Sequence, residues 1–214
     1  GMEPTTVHHM CSGKHSGMLL KAKLLAAPAD HYLDPESPVQ RAIRDAVGYA
    51  CGADDPAAMP WGTDGCSAPN FAVPLVGLAR AFAWMTRDEA DPRYGTAPKT
   101  LFEAMAAHPE MVSGAGRNDL ALATAGRGDW ANKVGADGVQ TLASRSRGIG
   151  IAAKVSDGNL KALMVAFCSV LEQLGMLDDT AKAALESWSR VPIKSIRGIE
   201  VGAIEPHVLL KRTA

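Results

Sequence analysis

The sequence has no basic run and no charge excess: 22 Lys and Arg stand against 23 Asp and Glu, a formal net charge of −1. A protein that tracks nucleic-acid phosphates needs a concentrated positive footprint. Its absence excludes a nucleic-acid partner and leaves a small molecule as the expected one. No apolar run reaches the roughly 18 residues needed to span a bilayer, and the N-terminus carries no charged-then-apolar secretion pattern. The expectation is therefore a cytoplasmic protein without membrane contact. Cysteine is sparse and scattered: Cys11, Cys51, Cys66 and Cys168 include no C-x-x-C pair, so reduced thiols are expected rather than disulfides. Internal repeats and low-complexity linkers are also missing. What remains is 47% hydrophobic and 21% charged over 214 residues, enough to bury a real core as one domain, 1–214.

Periodicity divides that domain into a helical part, about 12–127, and a sheet-and-helix part, about 128–214. An apolar-periodic stretch from Met18 to Ala27 predicts a helix with Ser16 as its cap. Ser37 followed by Pro38 predicts a second helix through Gly48, because a serine cap and a proline at the first helical position favour a start there. Cys51 to Asn70 reads as a Gly- and Pro-rich loop, and Phe71 to Met85 as an apolar helix buried on most sides. Helical character continues over Pro98 to Ala107, with Pro109 ending it. Beyond Trp130 the texture changes. Ala131–Val134 and Gly138–Leu142 flank a turn, Gly148 to Val155 is a β-like run, and Gly158 to Met176 and Thr180 to Trp188 are helical. Gly198 to Ile204 alternates like a half-buried strand. Helices first, then strands interrupted by helices, predict an α+β fold with an antiparallel sheet rather than repeated βαβ units.

Chemistry-bearing residues concentrate in two places. Cys11-Ser12-Gly13-Lys14-His15-Ser16-Gly17 puts a thiol, an amine, an imidazole and two hydroxyls at the mouth of a helix, where partial positive charge favours a thiolate or an anionic ligand. The ordinary alternative is a tight turn whose polar atoms cap backbone N–H groups. It is not a phosphate-binding loop, since His follows Lys14 and no Gly lies five residues before Gly13. Asp64-Gly65-Cys66-Ser67-Ala68-Pro69-Asn70 is the second. Two loops with one Cys each could join around zinc; two small buried hydrophobes are the bland alternative.

Taken in order, Cys11-Ser12-Gly13-Lys14-His15-Ser16-Gly17-Met18, Tyr32-Leu33-Asp34-Pro35, Ser37-Pro38-Val39-Gln40 and Asp64-Gly65-Cys66-Ser67-Ala68-Pro69-Asn70-Phe71-Ala72 resemble the asparaginase II family. His108 to Gly114, Lys133 to Val139 and Lys154 to Gly158 extend the likeness over essentially the whole chain. The resemblance implies a serine β-lactamase-like fold of α/β/α type and hydrolysis of L-asparagine to L-aspartate and ammonia by Ser–Lys pairs. By position, Cys11, Lys14 and Cys66 match the family's zinc ligands, with a water completing the shell. His15 and Asp64 match residues that line the same site and bind substrate. Lys133 corresponds to the family's distal lysine, which partners a serine, with Lys154 as second choice. Each has a plainer reading: Lys133 as a solvated strand residue, Asp64 as a turn cap beside Gly65, and His15 as a structural donor.

The sequence departs from the family in one respect. None of its lysines has Ser three residues before it; the nearest approach is Thr96-Ala97-Pro98-Lys99. The family's Ser-x-x-Lys nucleophile lies well upstream of the Cys-Ser-Gly-Lys loop, and only ten residues precede Cys11 here. The chain is thus expected to be the C-terminal two-thirds of such an enzyme, with a fold incomplete at the N-terminus and weak or no activity in isolation. Strands from the missing part would leave an apolar edge that a dimer could cover. Two other classes remain. One is a non-catalytic metal- or ligand-binding remnant. The other, a penicillin-recognising transpeptidase or β-lactamase relative, is disfavoured by Val134 where Thr is usual.

Overall fold

The computed structural model describes residues 3–213, and the chain divides into two compact units, Gly1–Gly77 and Leu78–Ala214. The first unit holds α1 (Ser12–Leu24), α2 (Pro38–Cys51) and a hairpin of two short strands, β1 (Trp61–Thr63) and β2 (Pro69–Phe71). The start of α2 is the one its sequence dictates. The Ser37 hydroxyl accepts the Gln40 N–H, Pro38 occupies the first turn, and Gly52 closes the other end at φ 72°, a left-handed geometry that suits glycine. Met18 and Ala22 of α1 bury against Val39 of α2 and Ala68 of the hairpin loop.

The predicted first helix is corrected at its start. α1 begins at Ser12 with Cys11 as N-cap, so Ser16 is an interior residue whose hydroxyl bonds back to the Ser12 carbonyl at 2.9 Å. The supposed loop 51–70 contains the β1–β2 hairpin, closed by Asp64 N–H donating to Ala68 O (2.9 Å) with Ser67 at φ 70°.

α3 (Leu75–Trp84) opens in the first unit and continues into the second, which adds α4 (Ala97–Ala107), the short α5 (Pro109–Val112) and α6 (Asn118–Gly126). α3 is shorter than predicted and is not buried on most sides: Leu75 and Val76 face solvent. Pro109 does not merely end a helix, because α4 stops at Ala107 and Pro109 starts α5, a position where its missing N–H costs nothing.

An antiparallel sheet follows, β3 (Trp130–Gly135), β4 (Val139–Ser144) and β5 (Ile149–Lys154), in the order β3-β4-β5. Then come α7 (Leu160–Gln173), α8 (Asp179–Ser189) and a separate hairpin, β6 (Val191–Lys194) with β7 (Glu200–Ile204). Asn159 and Asp178 cap α7 and α8 through their side chains.

Side chains alternate across a strand, and the three-stranded sheet uses both faces. Trp130 and Leu142 join Leu122, Met164, Phe167, Leu171 and Leu185 in one apolar cluster, under α6, α7 and α8. Their neighbours Ala131 and Ala143 join Met85 and Phe102 in another. On that second face β5 comes so close to α3 that a Cβ built on Gly150 would sit 1.9 Å from the Ala79 carbonyl oxygen. The architecture is α+β, with helices on both faces of the sheet in the second unit.

Candidate functional site

In the first unit, the start of α1 meets the loop of the β1–β2 hairpin. The Lys14 ammonium donates to Asp64 Oδ2 at 3.0 Å, across fifty residues of sequence, and the Cys66 thiol donates to the same oxygen at 3.3 Å. Asp64 Oδ1 accepts the Gly65 N–H at 2.8 Å. Cys11 lies near enough for Cys66, Asp64 and Lys14 to act on its thiol electrostatically. One thiol, one amine and one carboxylate are therefore in contact, with Cys11 nearby, all supplied by a helix N-terminus and a tight turn. Cys11 is the N-cap: its carbonyl accepts the His15 N–H at 3.0 Å, while its own N–H donates to the His9 ring at 3.1 Å. Lys14 then falls at the third helical position, facing the hairpin.

Electrostatics in the patch follow from these contacts. The hydrogen bonds from Lys14, Cys66 and the Gly65 N–H hold the Asp64 carboxyl below the usual carboxylate range. Partial burial pulls the Lys14 ammonium down, but its hydrogen bonds to Cys66 and Asp64 outweigh that and leave it above its ordinary value. Burial pushes the Cys11 thiol up, against the pull of the Lys14 charge and together with the proximity of Cys66 and Asp64. At neutral pH the patch is thus a carboxylate–ammonium pair beside a protonated Cys11 thiol.

Among the described residues no group of three or more His, Cys, Asp and Glu side chains is gathered so as to hold a metal; a metal-binding reading needs Lys14 as its nitrogen donor. Thiolate sulfur is among the ligands zinc prefers, whereas a neutral lysine amine is an uncommon donor that must first lose its proton. Were a metal held there, Asp64, already bonded to Lys14, would be an outer carboxylate orienting that ligand. Binding would have to displace the protons of both thiols and the amine.

His15 and Tyr32 stand next to this patch. Nδ1 of His15 and the Tyr32 hydroxyl share a hydrogen bond of 2.7 Å, with the rings edge to face at 5.7 Å. Tyr32 is held from behind by Gln40, whose amide donates to the Tyr32 carbonyl at 2.9 Å. A cavity of about 780 Å³ opens here, lined by Ser12, His15, Tyr32, Cys66 and the imidazoles of His8 and His9. Its size falls in the range of small-molecule sites. Tyr32 lies in one of the motifs that carry the family likeness, but nothing in the local pattern signals that its hydroxyl reaches His15.

Lys133 belongs to the second unit, on β3. Its ammonium donates to the Val134 carbonyl at 2.7 Å and stands 3.7 Å from Asp119 Oδ2. Asp119, at the first turn of α6, is buried and accepts from Asn132 Nδ2 (3.0 Å), Gln140 Nε2 (3.0 Å) and Val134 N–H (2.9 Å). Asn118 donates to Gln140 Oε1 at 2.7 Å, completing a buried polar network. Lys154 donates to the carbonyls of Asp137, at 2.7 Å, and Val155. The structure gives Lys133 a carboxylate neighbour that Lys154 does not have in its hydrogen bonds.

Cys11, Cys66 and Cys168 are free thiols, and no helix among the described residues is long and apolar enough to cross a membrane. Comparison with curated proteins yields no match. The family model described as L-asparaginase II matches residues 1–206. That span includes both the Cys-Ser-Gly-Lys-His helix start and the Asp-Gly-Cys turn that meet in the first unit, and Lys133 with its buried network in the second. The chain belongs to the L-asparaginase II family of amidohydrolases.

Proposed function

We propose that the protein serves the hydrolysis of L-asparagine to L-aspartate and ammonia, on a serine β-lactamase-like fold, with its site residues in the roles their family positions imply. The observation that supports this most is the meeting of Lys14, Asp64 and Cys66, with Cys11 alongside, next to the cavity lined by His15. Residues fifty positions apart contribute to one polar cluster, whose members are the ones that resemblance to the family suggests for the site. In this reading Cys11, Lys14 and Cys66 hold zinc, which when bound supplies Lewis-acid polarisation of an oxygen. Asp64 keeps Lys14 oriented and offers a carboxylate to the substrate ammonium. His15, fixed at Nδ1 by Tyr32, presents its other ring nitrogen to the cavity as a hydrogen-bonding group. Lys133 has the part of the distal lysine that takes or returns the proton of a serine hydroxyl.

The 214 residues contain no Ser-x-x-Lys. Removing the nucleophile from a covalent hydrolase costs several powers of ten in rate even where binding groups persist. The polypeptide by itself is therefore expected to hydrolyse asparagine weakly or not at all. A second reading, a metal- or ligand-binding protein without catalysis, is favoured by the same pairing of an intact donor cluster with no Ser-x-x-Lys.

Ammonia release from L-asparagine separates the two. It is measured with the purified 214-residue protein alone and after addition of any polypeptide encoded directly upstream. Release in the second case and little in the first is the expected result. No ammonia in either rejects catalysis and leaves the binding reading.

A further inference from the structure

Asp119 is the most enclosed carboxylate of the second unit, its side chain 1% exposed, and it lies 3.7 Å from an ammonium that is 51% exposed. A buried carboxylate is tolerated only when its oxygens are satisfied, and these are. Oδ1 takes the Asn132 and Gln140 amides, and Oδ2 takes the Val134 N–H. The Lys133 ammonium stands 3.7 Å from the same Oδ2. The three donors belong to β3 and its hydrogen-bonded neighbour β4, while Asp119 itself sits at the start of α6. The carboxylate is consequently fixed by two strands and a helix before Lys133 meets it.

Val134 is the residue after Lys133, and β3 is an edge strand of its sheet. Its N–H is taken by Asp119 rather than by another strand, so the helix blocks the edge at the point where Lys133 projects. On the other side, the Thr141 hydroxyl donates to the Lys133 carbonyl at 2.8 Å. The backbone of Lys133 is thereby gripped on both sides, and its long side chain has one carboxylate and one carbonyl to settle on.

We propose that Asp119 is a positioning residue for Lys133: held by Asn132, Gln140 and the Val134 N–H, it restrains the Lys133 ammonium at the edge of β3. The inference deepens the reading of Lys133 as the distal lysine and rests on it. A proton-handling amine must be held in one place to meet its partner, and a flexible four-carbon stem does not supply that by itself.

The test is side-chain NMR relaxation on the 214-residue protein, with lysine labelled at Cε. Exposed Lys161 and Lys21 serve as internal references for a solvated amine, and a K133R variant assigns the Lys133 signal by its disappearance. Lys133 is expected to be markedly more ordered than either reference. In D119N, with the remaining backbone spectrum preserved, that order is expected to fall to the level of Lys161. A purely structural Asp119 would leave it unchanged. Should D119N fail to fold, rising salt acts on the wild-type protein instead. Screening weakens an ammonium–carboxylate attraction and spares the amine–carbonyl bond to Val134, so the order of Lys133 is expected to drop. A Lys133 as mobile as Lys161 in the wild type, or an order indifferent to both D119N and salt, overturns the proposal. Loss of the distal-lysine reading would instead show in the ammonia assay with the upstream polypeptide added, as undiminished release by K133M, and would leave these relaxation values untouched.

Discussion

Replacing Asp64 by Asn removes the anion at the centre of the thiol–amine patch while keeping the side chain's size. Oδ1 can still accept the Gly65 N–H, so the turn itself survives. What is lost is the charge opposite Lys14 at 3.0 Å and the acceptor for the Cys66 thiol at 3.3 Å. Both side chains are partly solvated, 41% exposed for Lys14 and 33% for Asp64. The ion pair is therefore discounted to about 0.2–1 kcal/mol, and the thiol bond to about 0.5–1 kcal/mol. A destabilisation of roughly 1–2 kcal/mol lowers the melting temperature of a chain this size by about 2–8 °C. The pH dependence has a definite sign. The folded pKa of Asp64 is depressed, so its contribution is present above the unfolded value of about 3.9 and is lost as pH falls through the folded value. Melting of wild type and D64N, followed by circular dichroism, should differ at pH 7 and converge as the pH is taken below about 3.9. A gap that persists unchanged or widens in acid, or no gap at pH 7, would refute the assignment of Asp64 as a charged partner of Lys14.

Two further outcomes follow from packing and capping. Phe167, fully buried among Leu122, Trp130, Leu142 and Leu185, should cost about 3–5 kcal/mol as F167A, read as an earlier denaturant midpoint of the second unit. Ser37, whose hydroxyl receives the Gln40 N–H at 3.2 Å, should cost about 1 kcal/mol as S37A, with a corresponding loss of amide-exchange protection at the start of α2.

The sequence made legible those elements whose signals are local. Ser37-Pro38 marks the start of α2, the alternation and turn residues around Lys133 and Gly138 mark β3 and β4, and the apolar period from Leu160 marks α7. The β1–β2 hairpin was illegible because three-residue strands containing Gly and Pro have no period to detect. α6 was missed for a different reason. Its buried residues include Asn118 and Asp119, polar groups that are inside only because Asn132, Val134 and Gln140 satisfy them from the sheet. β6 has no alternation of burial that marks a half-buried strand, and it pairs with β7 alone. At the site, spacing showed two separate dense loops, and it was family resemblance that joined them. Their convergence depends on how Met18 and Ala22 of α1 pack with Ala68 of the hairpin, a tertiary fact with no local trace. The Tyr32–His15 and Asp119–Lys133 contacts are of the same kind.

Cobalt(II) titration, with zinc as competitor, tests the central claim most directly, because thiolate ligation to cobalt gives a charge-transfer absorption that the metal in water lacks. Ligation must displace protons from thiols and an amine, two of them with raised pKa values, so binding should strengthen as pH rises. The account predicts one equivalent of metal per chain, with the thiolate band reduced in C11A and again in C66A. A chain that binds no metal, or binds it with the same band in both variants, would contradict it.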